Sequence, residues 1–192
     1  MSRPAIFLDR DGTICEEVGY VNHLSRSRLL PNSLEAVRLI NQAGLMAIVT
    51  TNQSGVARGY FSRDLVEAVH AQLRALLAHG GARLDDIYYC PHHPNEGAPP
   101  WCADCECRKP KPGMILKAAR EHDVDLSRSY LVGDGVVDIE AGAAAGISGV
   151  LVKTGYGRGL LEHQPHRFRT HPAYAAEDLL DAVRWILARR RP

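Results

Sequence analysis

Four apolar residues, Ala5-Ile6-Phe7-Leu8, run without interruption into Asp9-Arg10-Asp11-Gly12-Thr13. A short, unbroken apolar run suits a strand buried on both faces, as in a parallel sheet covered by helices. The pattern recurs along the chain. Leu45 to Val49, Ile87 to Tyr89, Tyr130 to Val132 and Gly149 to Val152 read as four more strands. Segments of helical period lie between them: Leu34, Val37 and Ile40 closed by Gly44, and Leu65 to Leu77 entered from Ser62 and stopped by Gly80-Gly81. Met114 to Glu121, an Ala-rich stretch to Ala145, and Leu179, Leu180, Val183 and Leu187 supply the remaining helices. Strands alternating with helices predict an α/β fold, Rossmann-like, with a mainly parallel sheet and helices on both faces. A length of 192 residues predicts one domain, 1–192. One loop and one helix fill the interval from Asp11 to Thr51, so no large cap domain is expected. Gly155 to Pro172 reads as a long surface loop.

In sheets of this kind ligands bind beyond the carboxyl ends of the strands. The chain puts its polar groups there: Asp9 and Asp11 after the first strand, Thr51 and Asn52 after the second, Gly133-Asp134 after the fourth. One carboxylate of the Asp9/Asp11 pair can attack phosphorus while the other handles the leaving-group proton. Asp134 with Asp9 makes a hard-oxygen set suited to Mg²⁺. Asp138 fits two roles equally, a helix-terminal acid or a support for that set. Thr51 and the backbone N–H groups of Asn52, Gln53 and Ser54 can cradle phosphate oxygens. Arg108-Lys109-Pro110-Lys111-Pro112 could be a solvated basic run. Its adjacency to a metal-type loop favours a role in which Lys109 neutralises the nucleophile and phosphoryl group while Arg108 grips a second anion.

Four of the five cysteines, Cys90, Cys102, Cys105 and Cys107, fall within 18 residues. Such clustering points to a metal site. Cys90, His92, Cys105 and Cys107 offer three thiolates and one imidazole, a set suited to structural Zn²⁺ with no open position. Cys102-x-x-Cys105 is also ligand-like, which leaves a four-cysteine set without His92 open. Cys15 reads as a small buried residue and His93 as a bystander. His70, His79, His122, His163, His166 and His171 lack partner spacing and read as surface residues.

Lys plus Arg number 23 against 22 Asp plus Glu, a net charge of +1 with histidine neutral. No basic excess marks a nucleic-acid or anionic-membrane partner. A zinc-dependent binding module is a possible class of a different kind, but it leaves the carboxylate motifs without a purpose. No apolar run spans a bilayer, and charge arrives too early for a signal segment. A monomer in the cytoplasm is the expectation.

Asp9-x-Asp11-Gly-Thr, Thr51, Lys109 and Gly133-Asp134, in this order, resemble the haloacid-dehalogenase superfamily of phosphotransferases. Phe7 to Thr13, Gly19-Tyr20-Val21, Thr51 to Gly59, Tyr88 to Pro94 and Cys105 to Met114 are similar to its histidinol-phosphatase-like subgroup, zinc loop included. The resemblance spans residues 5 to 154 and implies a Mg²⁺-dependent phosphomonoesterase. Asp9 would be the nucleophile that forms an aspartyl-phosphate, and Asp11 the general acid/base. Mg²⁺ would bind Asp9, the backbone carbonyl of Asp11, and Asp134; Zn²⁺ would take His92 with the three thiolates, leaving Cys102 free. Thr51 and Lys109 would stabilise the phosphoryl group. Arg10, Glu17, Gly19, Tyr20, Thr51, Asn52, Gln53, Ser54, Arg108 and Lys109 would meet the substrate. The implied substrate is a small phosphorylated sugar, foremost the 7-phosphate of a heptose 1,7-bisphosphate in nucleotide-activated heptose biosynthesis, with histidinol phosphate as the alternative. Where the family carries lysine after the Mg²⁺-binding aspartate, this chain has Gly135.

Overall fold

The computed structural model describes residues 2–190; Met1, Arg191 and Pro192, part of the expected 1–192 unit, lie outside the described residues. Six strands form one sheet: β1 (Ala5–Leu8), β2 (Met46–Asn52), β3 (Asp86–Cys90), β4 (Tyr130–Gly133), β5 (Ser148–Val152) and β6 (Tyr174–Ala176). Their order is β3-β2-β1-β4-β5-β6, and each neighbouring pair is parallel. The helices are α1 (Ser33–Gln42), α2 (Arg63–His79), α3 (Gly113–His122), α4 (Val136–Ala144), α5 (Gly157–His163) and α6 (Leu179–Arg189).

Strand alternation sorts the core into two layers. From β1, Ile6 and Leu8 face α1, α2 and α6 through Val37, Ile40, Leu73, Leu77 and Val183. Ala5 and Phe7 face the opposite side, against Met114, Ile115 and Ala118 of α3 and Ala141 of α4. Helices therefore cover both faces, as the sequence predicts. A third cluster, Ile139, Leu151, Leu160 and Phe168, sits under α5.

Two features depart from expectation. The 155–172 stretch holds α5 and a 3₁₀ turn at Pro165–Arg167, and Leu160 and Phe168 anchor it to the core. A sixth strand, β6, pairs with β5 through Tyr174, Ala175 and Ala176. Strand order reverses between β1 and β4, and the crevice beyond their carboxyl ends is where a ligand binds in such a sheet. Asp9 and Asp134 are the next residues at those two ends.

Candidate active site

Lys109 is the central group of the crevice. It lies in the loop before α3 with only 3% of its surface exposed. Its Nζ donates to the Thr50 carbonyl at 2.7 Å and to Asp138 Oδ1 at 2.5 Å, and lies 2.9 Å from Asp9 Oδ1. Asn52 fixes its backbone on both sides. Asn52 Nδ2 donates to the Lys109 carbonyl at 3.0 Å, and Asn52 Oδ1 accepts the Lys109 N–H at 3.1 Å. Asp138, in the first turn of α4, is 1% exposed and also accepts the Gly135 N–H at 2.9 Å. It caps the first turn of α4 and is also the partner of Lys109, a pairing that the sequence analysis did not assign.

Asp134 completes the cluster. One oxygen from each of Asp9, Asp134 and Asp138 lies within 4.8 Å of the others. The packing tolerates no side chain beside Asp134. A Cβ at Gly12 (φ +74°) would fall 2.1 Å from Asp134 Oδ2, and one at Gly155 (φ +56°) would fall 2.0 Å from the same atom. Both positive φ values also favour glycine. The Tyr156 N–H donates to Asp134 Oδ2 at 2.8 Å, and Thr154 Oγ1 donates to the Gly12 carbonyl at 2.6 Å. Residues 154–156 therefore belong to the site. The sequence reading missed them, and the glycine of Thr154-Gly155-Tyr156 at a strand end was the available signal.

Three carboxylates against one ammonium leave an excess of two negative charges, one each from three aspartates less one from Lys109, in a largely buried space. Burial, opposed by Lys109, raises the pKa of Asp9 to about 6, with Asp138 and Asp11 adding to the rise. Burial raises Asp134 to about 8, helped by Asp9 and Asp138. Burial works against the charge on Lys109, yet Asp138 and Asp9 outweigh it and hold its pKa above the ordinary lysine value. Asp9 Oδ1 is buried without a well-angled hydrogen bond. Three buried carboxylates that share one ammonium, all of them hard oxygen donors, fit a divalent cation of the Mg²⁺ type.

Asp11 stands apart from this cluster. Its carboxylate takes a forked pair from Arg10, Nε to Oδ1 at 3.0 Å and Nη2 to Oδ2 at 2.8 Å, and accepts Gln53 Nε2 at 2.9 Å. Its carboxylate is not among the oxygens that converge with those of Asp9, Asp134 and Asp138.

The other expected substrate-facing residues divide into two groups. Glu17, Gly19, Tyr20, Ser54 and Arg108 stay at least partly exposed. Glu17 accepts the Gly19 N–H, and burial raises its pKa. Arg108 donates to the His92 carbonyl at 3.1 Å. Arg10, Asn52 and Gln53 have side chains engaged within the protein. The Arg10 side chain is 1% exposed and turned to Asp11, the Asn52 side chain holds Lys109, and the Gln53 N–H is spent on the Cys90 carbonyl at 2.7 Å. Gln53 Nε2 also donates to Thr51 Oγ1 at 3.1 Å, so these side chains position catalytic candidates instead of facing solvent. A cavity of about 420 Å³ adjoins the cluster, with Gly135, Val137, Tyr156 and Arg167 among its walls.

Beyond β3, Cys90, His92, Cys105 and Cys107 converge. Their ligand atoms lie 3.4 Å (Cys90–Cys105), 3.2 Å (Cys105–Cys107), 3.4 Å (Cys107–His92) and 3.7 Å (Cys90–His92) apart. Bonds of ~2.3 Å to a tetrahedral ion would set sulfurs ~3.8 Å apart, so modest expansion suits zinc. Hydrogen bonding with Cys107 and burial push the Cys90 thiol up. The same pairing, with help from Cys105 and His92, pulls Cys107 down to about 5. Cys102 is outside the cluster, its Sγ 3.9 Å from the Pro94 carbonyl. The cluster that could hold a metal thus includes His92 and not Cys102.

A carboxylate at the end of β1, a lysine upon it and acids beyond β4 define an aspartate-based phosphohydrolase of the haloacid-dehalogenase type. The HAD-hydrolase-like family model matches residues 106–182. A curated relative from Thermosynechococcus vestitus, D-glycero-D-manno-heptose-1,7-bisphosphate 7-phosphatase, is 45% identical over 196 aligned positions and 100% of both chains. The D-glycero-beta-D-manno-heptose-1,7-bisphosphate 7-phosphatase of Pasteurella multocida is 47% identical over 80% of this chain and 83% of its own. The crystal structure of D,D-heptose 1,7-bisphosphate phosphatase from B. bronchiseptica, complexed with magnesium and phosphate, superposes with a TM-score of 0.86. It is 36% identical and covers 97% of this chain and 99% of its own. The chain belongs to the D-glycero-D-manno-heptose-1,7-bisphosphate 7-phosphatase family within the haloacid-dehalogenase superfamily, and it is a phosphomonoesterase.

The raised carboxylates give the metal-free protein a pH signature. Asp9 and Asp134 bind protons more readily folded than unfolded, so their contribution is complete below the ordinary aspartate range. It is lost as pH rises through about 6 and then about 8. In EDTA the melting temperature should fall between pH 6 and 9, and Mg²⁺ should restore it at pH 8.5. Asp134→Asn should flatten the fall, by ~2–4 °C for each kcal/mol recovered. A melting temperature that is level or rising over that window in EDTA contradicts the charge arrangement.

Proposed function

We propose that this enzyme removes the 7-phosphate of D-glycero-D-manno-heptose 1,7-bisphosphate through an aspartyl-phosphate on Asp9, as a single-domain monomer in the cytoplasm. The observation that carries the reading is the buried Asp9–Lys109–Asp138 array at the strand-order reversal, in a chain whose relatives are named for that reaction. Those names favour the heptose bisphosphate over histidinol phosphate.

Asp9 attacks phosphorus in line with the leaving oxygen, and Asp11 donates the proton that the sugar alkoxide needs. Asp11 then takes a proton from the water that cleaves the acyl phosphate. Lys109 sits on Asp9 and offsets charge on the transferring group, with Thr51 beside it. Mg²⁺ held by Asp9, Asp134 and the Asp11 carbonyl supplies a Lewis acid that offsets charge on the nucleophile and phosphoryl oxygens. Arg108 binds the second phosphate, and Glu17, Gly19, Tyr20 and Ser54 contact the sugar and the phosphate loop. Zn²⁺ on Cys90, His92, Cys105 and Cys107 is structural, and it fixes the segment that leads into Arg108 and Lys109. The unpaired cysteines suit a reducing compartment.

Turnover on heptose 1,7-bisphosphate should exceed turnover on histidinol phosphate, and the reverse order overturns the substrate assignment. Asp9→Asn should lose more than ~10³-fold in kcat while remaining folded, because Lys109 keeps Asp138 and the Thr50 carbonyl. Robust activity in that variant, or in a rigorously metal-free preparation, removes the mechanism. For the zinc loop, Cys107→Ser should lower zinc content, melting temperature and substrate affinity together, whereas Cys102→Ser should leave all three unchanged. Zinc lost from Cys102→Ser but kept by His92→Ala would reassign the fourth ligand.

A further inference from the structure

His70 of α2 does not lie on the surface as the sequence reading has it; it is 5% exposed beneath the active site. Its Nε2 lies 3.2 Å from Arg10 Nη1. A guanidinium can only donate, so Nε2 must accept, the imidazole must be neutral and Nδ1 must carry the hydrogen. Burial, with the positive charge of Arg10, lowers the His70 pKa to about 3, so this state persists across the working pH range. Arg10 spends its Nε and Nη2 donors on the two oxygens of Asp11. The His70 and Tyr89 rings pack edge to face with centroids 5.4 Å apart, which limits rotation of the imidazole. Arg10 is thus held from behind by a fixed acceptor and grips Asp11 in front with both teeth of its fork.

We infer that His70 is a positioning residue for the acid/base Asp11, acting through Arg10 to aim the Asp11 carboxylate at the leaving oxygen. The inference rests on the reading of Asp11 as proton donor. Without His70, the Arg10 guanidinium has an unpaired buried donor and is free to turn, and Asp11 loses its bearing relative to Asp9. Asp9 and its Lys109 partner are untouched by the change, so nucleophilic attack as such is preserved.

The separating measurement is kcat/KM, which ends at formation of the aspartyl-phosphate, on two leaving groups. The C7 alkoxide of heptose 1,7-bisphosphate needs a proton as it departs, and p-nitrophenolate does not. His70→Leu should lower kcat/KM on the bisphosphate by ~10–100-fold, part of the ~10²–10⁴ that a lost acid commands, and on p-nitrophenyl phosphate by less than ~3-fold. His70→Gln places an amide oxygen near the position of Nε2 and should restore the ratio. Arg10→Lys, which cannot form the fork, should skew the ratio as His70→Leu does and serves if the leucine variant does not fold. Equal losses on both substrates would reduce His70 to a packing residue and overturn the inference. Asp11→Asn is the control. If it skews the ratio and the His70 and Arg10 variants do not, the inference alone fails. If it leaves the ratio unchanged, the assignment of Asp11 fails and takes the inference with it.

Discussion

The buried ammonium of Lys109 ties the site together. It reaches the Thr50 carbonyl on β2, Asp9 after β1 and Asp138 at the start of α4, so one charge joins three elements that meet only in the folded chain. Burying an unpaired lysine is expensive, and removing one partner of such a pair costs ~3–5 kcal/mol. Each partner is therefore required for the others. Asn52 locks the lysine backbone and Gly133 leaves room for the Asp138 carboxylate, where a Cβ would lie 2.3–2.5 Å from its atoms. The segment that delivers Lys109 follows directly on Cys105 and Cys107, so the metal loop and the charge array are one mechanical unit.

That array is deliberately unbalanced. One lysine cannot neutralise Asp9, Asp134 and Asp138; burial first, and the neighbouring carboxylates after it, raise the pKa values of Asp9 and Asp134. A divalent cation would relieve the imbalance and leave Asp9 ionised for the attack proposed for it. Asp11 is kept out of the competition by Arg10 and Gln53, which give it a different environment from its neighbour two residues away. Two carboxylates close in sequence thereby sit in two different environments, which suits the two tasks proposed for them. Tyr156 lines the cavity beside the cluster, Gly19 and Tyr20 line a second one, and no large cap is present among the described residues.

Much of this was legible from local pattern. Unbroken apolar runs ending in Asp9 and Asp134 predicted buried strands and a site at their ends, and the clustered cysteines predicted a metal-type cluster, whose histidine only the family resemblance singled out. What was not legible depended on tertiary pairing. β6 contributes three residues, Tyr174-Ala175-Ala176, too few for periodicity to register. α5 lies among Gly, Arg and His residues that carry no helical stripe, and it forms because Leu160 and Phe168 find a core. Asn52 and Gln53 look like phosphate-loop residues, yet their side chains turn inward to Lys109 and Asp11. His70 did leave a trace. It falls at helical spacing with Val66, Val69, Leu73 and Leu77, on the buried face of α2. A titratable residue on an apolar stripe must have a buried partner, and Arg10 is that partner.

The central claim, that Asp9 carries the phosphoryl group, is tested most directly by acid-quenching the Mg²⁺-loaded enzyme during its first turnovers on heptose 1,7-bisphosphate and mapping its peptides by mass. The account predicts one phosphoryl group on the peptide that contains Asp9, formed before phosphate release and absent from Asp9→Asn. First-turnover phosphate release with no such adduct, or with the phosphoryl group on another residue, would contradict it.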